Sequence, residues 1–434
     1  MKCIEDEIPF EVPDGWEWCR IKHVCTMAAG KAKPTDQIMT EPFEGCYPCF
    51  GGNGVRGYVD EYNQDGIFSI VGRQGALCGN INIAKGKFYA TEHAVVTTLF
   101  SGIDFNWSNY VLEALQLNSY ATGAAQPGLS VANVLNVFVP VPPTQEQVHI
   151  GIRIAESIKI IENIEDEKEN LQTLISSAKS KILDLAIRGK LVPQNPKDEP
   201  ASVLLERIRA EKEELIKAGK IKRDKKESII FRGEDNSYYE TIGKNTVCID
   251  EEIPFDIPDR WTWCRLQSIS SILTDGTHKT PEYSDSGYMF LSSKNVTSGK
   301  IDWENAMYIP EYLHEELYGR LAPAKDDILL AKNGTTGVAA IVDHEEVFDI
   351  YVSLALIRII NNMIFPEYIL HTIGSSYIQN YFNSSLKGIG VPNLHLEHIR
   401  KTLIPIPTYT EQKLIAEKIK HILFKIDDIS NALL

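Results

Sequence analysis

One block of sequence occurs twice. Ile8-Pro-Phe-Glu-Val-Pro-Asp14-Gly-Trp16-Glu-Trp18-Cys19-Arg20-Ile21 returns 245 positions later as Ile253-Pro-Phe-Asp-Ile-Pro-Asp259-Arg-Trp261-Thr-Trp263-Cys264-Arg265-Leu266. A second block also repeats, at a spacing of 265: Phe138-Val-Pro140-Val-Pro142-Pro-Thr-Gln-Glu146-Gln147 and Leu403-Ile-Pro405-Ile-Pro407-Thr-Tyr-Thr-Glu411-Gln412. The second unit is therefore 20 residues longer than the first. A solenoid would repeat many times at a short period. Two long units with like ends and unlike middles imply one scaffold used twice, for two targets. Alternation along a strand puts Trp16 and Trp18, and likewise Trp261 and Trp263, on one side, as a core requires.

After each Pro-x-Pro block the apolar pattern changes from strand to helix. Ile164, Leu171, Ile175, Ala178, Ile182 and Leu185 follow a three–four spacing, with Lys168 filling one slot, and make a coiled-coil seam. Thr144-x-x-Gln147 fits a capping box at its start, and Gly189 fits a stop. A helix over 145–188 is roughly 65 Å long, about two turns of B-DNA. The second unit ends in the same way, through Ile415, Ile419, Ile422, Ile426, Ile429 and Leu433. Between the two, Pro193, Pro196 and Pro200 break the chain, and a helix is expected from Ala201 to Ala218 with Gly219 as its stop. A basic run follows: Lys217, Lys220, Lys222, Arg223, Lys225 and Lys226. Such a run is usually a solvated surface; a phosphate or an acidic partner is the alternative.

The 434 residues allow two or three cored domains. No basic, apolar leader opens the sequence and no run is long enough to span a bilayer, so a cytoplasmic location with no membrane partner is expected. The scattered cysteines are expected to be reduced; Cys46-Tyr-Pro-Cys49 lacks a second ligand pair and reads as a buried strand edge. His395-x-x-His398 reads as a helix face, and no metal is expected. The net charge of −15 argues against DNA binding by the chain alone, because phosphate contacts need Lys and Arg. Either the basic side chains cluster on one face, or partners supply part of the grip.

The order of the blocks decides between these. A variable unit, Pro-x-Pro-x-x-x-Glu-Gln, a long helix, a second variable unit, the same motif and a helix, with Ile187-Arg-Gly-Lys-Leu-Val-Pro-Gln-Asn-Pro-Lys-Asp-Glu-Pro-Ala-Ser-Val-Leu-Leu205 between, resembles the specificity (S) subunits of type I restriction–modification systems over nearly the whole chain. The resemblance implies an α+β fold: two target-recognition domains separated by long helices that form an antiparallel coiled coil. The domains expected are 1–143 and 246–407 for recognition, 144–245 for the central helical region and linker, and 408–434 for the terminal helix. It also implies a non-catalytic chain that reads a bipartite site on double-stranded DNA. Two methyltransferase (modification) subunits and restriction (translocase–nuclease) subunits would be its partners. S-adenosylmethionine, ATP and Mg would be used by those partners, and no cofactor by this chain.

Base readers are expected in loops carrying amides, guanidinium groups, hydroxyls and ammonium groups. In the first unit these are Lys31 and Lys33; Asn53, Arg56 and Tyr58 in Gly51-Gly-Asn-Gly-Val-Arg-Gly-Tyr; Arg73 and Gln74; and Gln126. The second unit offers Thr277, His278 and Lys279; Ser293, Lys294 and Asn295; Lys332, Asn333, Thr335 and Thr336; and Asn393. Any one of these could be only a tight turn. Nucleotide-binding glycine motifs are absent, as is the Asn/Asp-Pro-Pro-aromatic signature of an amino-methyltransferase. A stand-alone enzyme would need a catalytic constellation that the sequence does not display. A purely structural coiled-coil scaffold would have no use for the amide- and arginine-bearing loops.

Overall fold

The computed structural model describes residues 8–75, 77–122, 127–224, 227–297, 299–360, 363–386 and 392–432. It divides into two compact units, Met1–Glu167 and Lys168–Leu434.

In the first unit the strands are β1 (Glu17–Arg20), β2 (Cys25–Ala29), β3 (Tyr47–Gly51), β4 (Gly54–Val59), β5 (Gln64–Gly72), β6 (Ile81–Ala90), β7 (Ala94–Leu99) and β8 (Phe138–Val141), with helix α1 (Phe105–Ala114) and the start of α2 (Thr144–Ile187), whose second half belongs to the second unit. Six of the strands form one sheet in the order β2-β7-β5-β6-β3-β4. Its two faces are buried in separate clusters, as alternation demands: Val71 and Val95 join Ile21, Leu112 and Val139, while Ile70 and Val96 join Phe50 and Phe88. The repeated blocks meet outside this sheet. β1 and β8 pair antiparallel with Trp18 opposite Pro140 and Cys19 opposite Val139. A two-stranded ribbon tolerates the prolines because neither strand is central.

Gln147 locks the exit of this ribbon. Its side-chain Nε2 donates to the Pro142 carbonyl and its Oε1 accepts the Asp104 amide, both at 2.8 Å. The expected capping box does not form, because these buried groups have first claim on Gln147. The Thr144 hydroxyl donates instead to the Gly102 carbonyl, and Pro143 accepts the first helical amides. α2 then runs to Ile187, and Gly189 ends it at φ +67°. Residues 155–170 are exposed on every side, Ile158, Ile161 and Ile164 included.

The second unit contains α3 (Ala201–Lys217), β9 (Ser228–Arg232), β10 (Tyr238–Ile242), β11 (Asn245–Cys248), β12 (Thr262–Arg265), β13 (Ser270–Asp275), β14 (Tyr288–Leu291), β15 (Met307–Ile309), β16 (Ile328–Ala331), β17 (Ala339–Ile341), β18 (Phe348–Ile350), β19 (Leu354–Ile359), α4 (Pro366–Ile373), β20 (Leu403–Ile406) and α5 (Tyr409–Ala432). Sheets β13-β19-β16-β17 and β15-β14-β18 follow the path of the first unit, with the long strand β6 replaced by β17 and β18. β18 runs parallel to β14 as the end of β6 runs parallel to β3. The ribbon repeats in register: β12 and β20 pair with Trp263 opposite Pro405 and Cys264 opposite Ile404. The lock repeats too, since Gln412 donates to the Pro407 carbonyl at 3.2 Å and accepts the Phe365 amide at 2.8 Å.

α3 buries Leu204 and Ile208 in a core shared with Trp261, Ile404 and Ile415, and Gly219 closes it at φ +69°. The terminal helix α5 buries Ile415 and Ile419, half-buries Ile422 and Ile426, and exposes Ile429; Leu433 lies outside the described residues. Its carboxylates meet partners in reverse chain order: Glu411 takes Gln194 and Asp427 takes Lys179. This is the antiparallel sense expected of the paired helices. Burial pushes the Glu411 carboxyl up from its ordinary range, against the hydrogen bonds it accepts from Trp261 and Gln194.

The Trp-x-Trp expectation is corrected in two ways. Trp261 precedes its strand, in a turn closed by its amide on the Pro258 carbonyl, so strand alternation does not govern the pair. Trp261 joins the large core, whereas Trp263 joins a separate cluster with Ile230, Ile249 and Leu403. In the first unit Trp16 and Trp18 are only half-buried.

Candidate nucleic-acid interface

Backbone hydrogen bonds put the candidate loops of each unit at matching positions. Lys31 donates its amide to the Ala90 carbonyl, and Thr277 to that of Ile350, both at 3.0 Å. The preceding glycines, Gly30 and Gly276, are needed there: a Cβ on either would lie 2.0 Å from that same carbonyl oxygen. Thr91 donates to Phe50 as Tyr351 donates to Leu291, which aligns Gly51-Gly52-Asn53 with Ser292-Ser293-Lys294. Arg73 donates to the His93 carbonyl as Lys332 donates to that of Ser353. The Leu129 amide returns to the Arg73 carbonyl as that of Leu394 returns to Lys332. Isolated bridges join Gln74 to Gly128 and Asn333 to Asn393. Each unit thus gathers the loops that follow its first, second and fourth sheet strands, together with the segment before its closing block.

The side chains carried by these loops differ. In the first unit Asn53, Arg73 and Gln74 are exposed together, and Asn80 donates to the Asn53 amide oxygen at 3.1 Å. Sequence reasoning passed over Asn80, which follows Gly79 just before β6, and His93, in the turn before β7, because only the fold brings them to the Gly51–Gly54 and Arg73 loops. Lys31 is exposed. Lys33 is not available: it pairs with Glu61 at 2.7 Å and lies over the Tyr89 ring. Arg56 donates to the Thr35 hydroxyl at 2.8 Å, and Tyr58 is half-buried, its backbone bridging to Met39. Gln126 lies outside the described residues.

In the second unit His278, Lys279, Lys294 and Thr335 are exposed, and Thr277, Ser293, Asn333, Thr336 and Asn393 are half-buried. Asn295 is corrected from reader to framework. It is 4% exposed, accepts the Ser292 amide at 2.9 Å and donates to the carbonyls of Asp302 and Asn305. Lys332 is corrected likewise, being 5% exposed with its ammonium paired to Asp275. A recess of about 570 Å³ lies here, lined by His278, Asn333, Asn393, His395 and His398. The two histidines of the H-x-x-H pair therefore face a candidate reading surface. Among the described residues no group of three or more His, Cys, Asp or Glu is placed to hold a metal ion. Cys49 is fully buried in β3.

The basic run is paired in part, with Lys220 and Lys222 exposed. Lys217 pairs with Glu214, and Arg223 makes two bonds to Glu213; Lys225 and Lys226 lie outside the described residues. No described helix is long and apolar enough to cross a membrane.

The model of the type I restriction modification DNA specificity domain matches residues 13–173 and 258–434, one copy for each unit. The chain belongs to this family. The EcoAI specificity subunit of Escherichia coli is 24% identical over 506 aligned positions, covering 96% of this chain and 79% of that protein. The EcoprrI specificity subunit, also of E. coli, is 46% identical over 129 residues, covering 30% of this chain and 32% of that one. Among solved structures, one from work on complex assembly and conformational transition of the type I R-M system has a TM-score of 0.58 at 13% identity, covering 98% of this chain and 94% of its own. The HsdS subunit from Thermoanaerobacter tengcongensis has a TM-score of 0.51 at 14% identity, covering 99% and 94%. At these identities the likeness concerns the fold alone. The relatives found by sequence are named specificity subunits, and the chain is accordingly a specificity subunit of a type I system.

Proposed function

We propose that each unit reads one half of a bipartite DNA site and that the chain itself performs no chemistry. Methylation at adenine N6 and ATP-dependent cleavage would be carried out by two modification subunits and by restriction subunits, using S-adenosylmethionine, ATP and Mg, in the cytoplasm. One observation carries this reading: the same backbone hydrogen bonds recur in both units, while the loops they hold present Arg73, Gln74 and Asn53 in one and His278, Lys294 and Asn333 in the other. An invariant frame with exchanged polar side chains is what two different base sequences require. The exposed stretch 155–170, with its uncovered isoleucines, supports the docking of partner helices. It also fits a net charge of −15, since partners would then complete the grip on phosphate.

The test is the methylome of cells carrying this gene with its methyltransferase partner, against cells lacking only this gene. A split adenine-methylated motif that disappears with the gene is the expected result. An unchanged methylome in cells with a demonstrably assembled complex would overturn the reading. Lengthening α2 by seven residues within 155–170 tests the helix as a spacer: the gap between half-sites should change and the half-sites should not.

A further inference from the structure

Both units present an aromatic step on the ribbon, and among the described residues only one of them is covered. In the second unit Trp263 is fully buried beneath a three-stranded sheet of order β9-β10-β11. Ile230 of β9 and Ile249 pack on it beside Phe255 and Leu403. Glu240 of β10 closes the edge, accepting two bonds from Arg265 at 2.9 and 2.7 Å, and Glu252 accepts a third. The cover therefore has a defined chemistry: an aliphatic side chain over the indole and a carboxylate on the guanidinium.

Among the described residues the first unit has the same step without that hairpin. Phe10, Trp18, Arg20 and Phe138 stand where Phe255, Trp263, Arg265 and Leu403 stand. Phe10 and Trp18 meet edge to face at 4.9 Å, as Phe255 and Trp263 do at 5.1 Å. Yet Phe10 is 58% exposed and Tyr120 40%, and Trp18 is half-buried. A groove of about 640 Å³ runs between Phe10, Trp18, Leu115, Tyr120 and Phe138. Lys22 is exposed beside it, its ammonium donating at 3.3 Å to the side-chain oxygen of Asn136, which lines the groove. The repeated sequence also extends further back, with Cys3-Ile4 matching Cys248-Ile249 and Glu7 matching Glu252. The counterpart of 246–252 is thus present in the chain, although it lies outside the described residues. What the groove of the first unit has no equivalent of, among the described residues, is the hairpin β9–β10.

We propose that this groove is a docking surface for a β-hairpin of a partner polypeptide, one that lays an aliphatic side chain on Trp18 and brings a carboxylate to the Arg20–Lys22 rim. The surface is apolar at its centre and cationic at its edge, and its twin shows what fills such a shape. It is built on β1, β8 and α1 and none of the candidate reading residues lines it, so its occupant need not displace them.

The experiment is residue-resolved hydroxyl-radical footprinting of the full chain, with Trp263 as the buried internal reference. Phe10 and Trp18 should label strongly in the chain alone, equally at low and high protein concentration and with or without duplex DNA. A copy of residues 227–245 placed directly before Met1 reproduces the spacing found in the second unit. It should lower Phe10 and Trp18 labelling several-fold, and Ile230→Lys with Glu240→Lys in the added copy should restore it. In the complex purified with its modification subunits the same two residues should be protected, with cross-links from Lys22 to the partner. Protection that rises with concentration would assign the groove to a second copy, and protection by duplex DNA would assign it to DNA; either overturns the proposal. So does a fused hairpin that protects nothing, or strong labelling of both residues in the assembled complex. The fused-hairpin arm uses neither methylation nor site recognition, so it stands or falls separately from the proposed function.

Discussion

Arg73 and Lys332 occupy the same place in the two units and do different work. Each donates its amide to the turn before the last sheet strand of its unit and accepts from the closing segment. Arg73 projects into solvent beside Asn53, whereas Lys332 turns inward onto Asp275, whose counterpart in the first unit is Ala29. One carboxylate on the first strand thus converts a cation at a reading position into a strut. Charge type at a loop position is therefore a poor guide to contact with DNA. What matters is whether the neighbouring strand holds a countercharge in a place water cannot reach.

The sharpest way to break this comparison is Lys332→Ala. It leaves Asp275 buried without its cation and should destabilise the second unit by about 3–5 kcal/mol, measured by urea unfolding. Arg73→Ala should stay within about 0.5 kcal/mol in the same assay. Equal effects would mean that the inward pair contributes nothing. Next comes acid. Burial pushes the His371 imidazole down to about 4 from 6.5, so the folded state holds it neutral while the unfolded chain takes up a proton. The stabilisation is complete above pH 6.5 and is lost as pH falls towards 4, by at most about 3 kcal/mol. His371→Gln should flatten that part of the stability–pH curve, and an unaltered curve would exclude His371 as its source.

Gln147→Ala and Gln412→Ala probe what the units share. Each removes one amide that satisfies two backbone groups, and each should cost about 1–3 kcal/mol. A clear inequality would show that the locks are alike in geometry only. The smallest effect is confined to one base pair: in the assembled complex Arg73→Ala should lose about 1–3 kcal/mol of discrimination at one position of one half-site. Uniform weakening on all DNA, with a shallower salt dependence, would make Arg73 a phosphate contact.

Much of this was legible in the sequence, for reasons that can be named. Gly189 and Gly219 read as stops because a left-handed residue strongly favours glycine, and both have φ near +70°. α3 read correctly from Pro200 to Gly219 because its apolar spacing is local. The pairing of β1 with β8 was not legible, since the blocks lie more than a hundred residues apart and repetition alone does not say that they touch. Gln147 was assigned to a cap because the Thr-x-x-Gln spacing is local, while its true partners, Asp104 and Pro142, are fixed by packing. Lys332 and Asn295 looked like readers because polar residues near glycine usually face water. Only the fold reveals Asp275, and the carbonyls of Asp302 and Asn305, beneath them.

The ribbon has a consequence for inheritance. The chain enters and leaves each recognition unit through two strands that lie side by side, with Trp18 on Pro140 and Trp263 on Pro405. Everything between those strands is joined to the rest of the chain through that two-stranded stem, and it also rests on the glutamine locks and, in the second unit, on a core shared with α3 and α5. An exchange of genetic material with crossovers in the two short repeated blocks would replace the whole stretch between them and leave the stem and the helix beyond it in place, with the glutamine taking its backbone amide from the incoming stretch as it takes Asp104 in one unit and Phe365 in the other. Because one gene carries both blocks twice, it holds the matching stretches that such an exchange needs. Novelty in what is recognised can then arise by swapping cassettes, without a refolding problem to solve at each step.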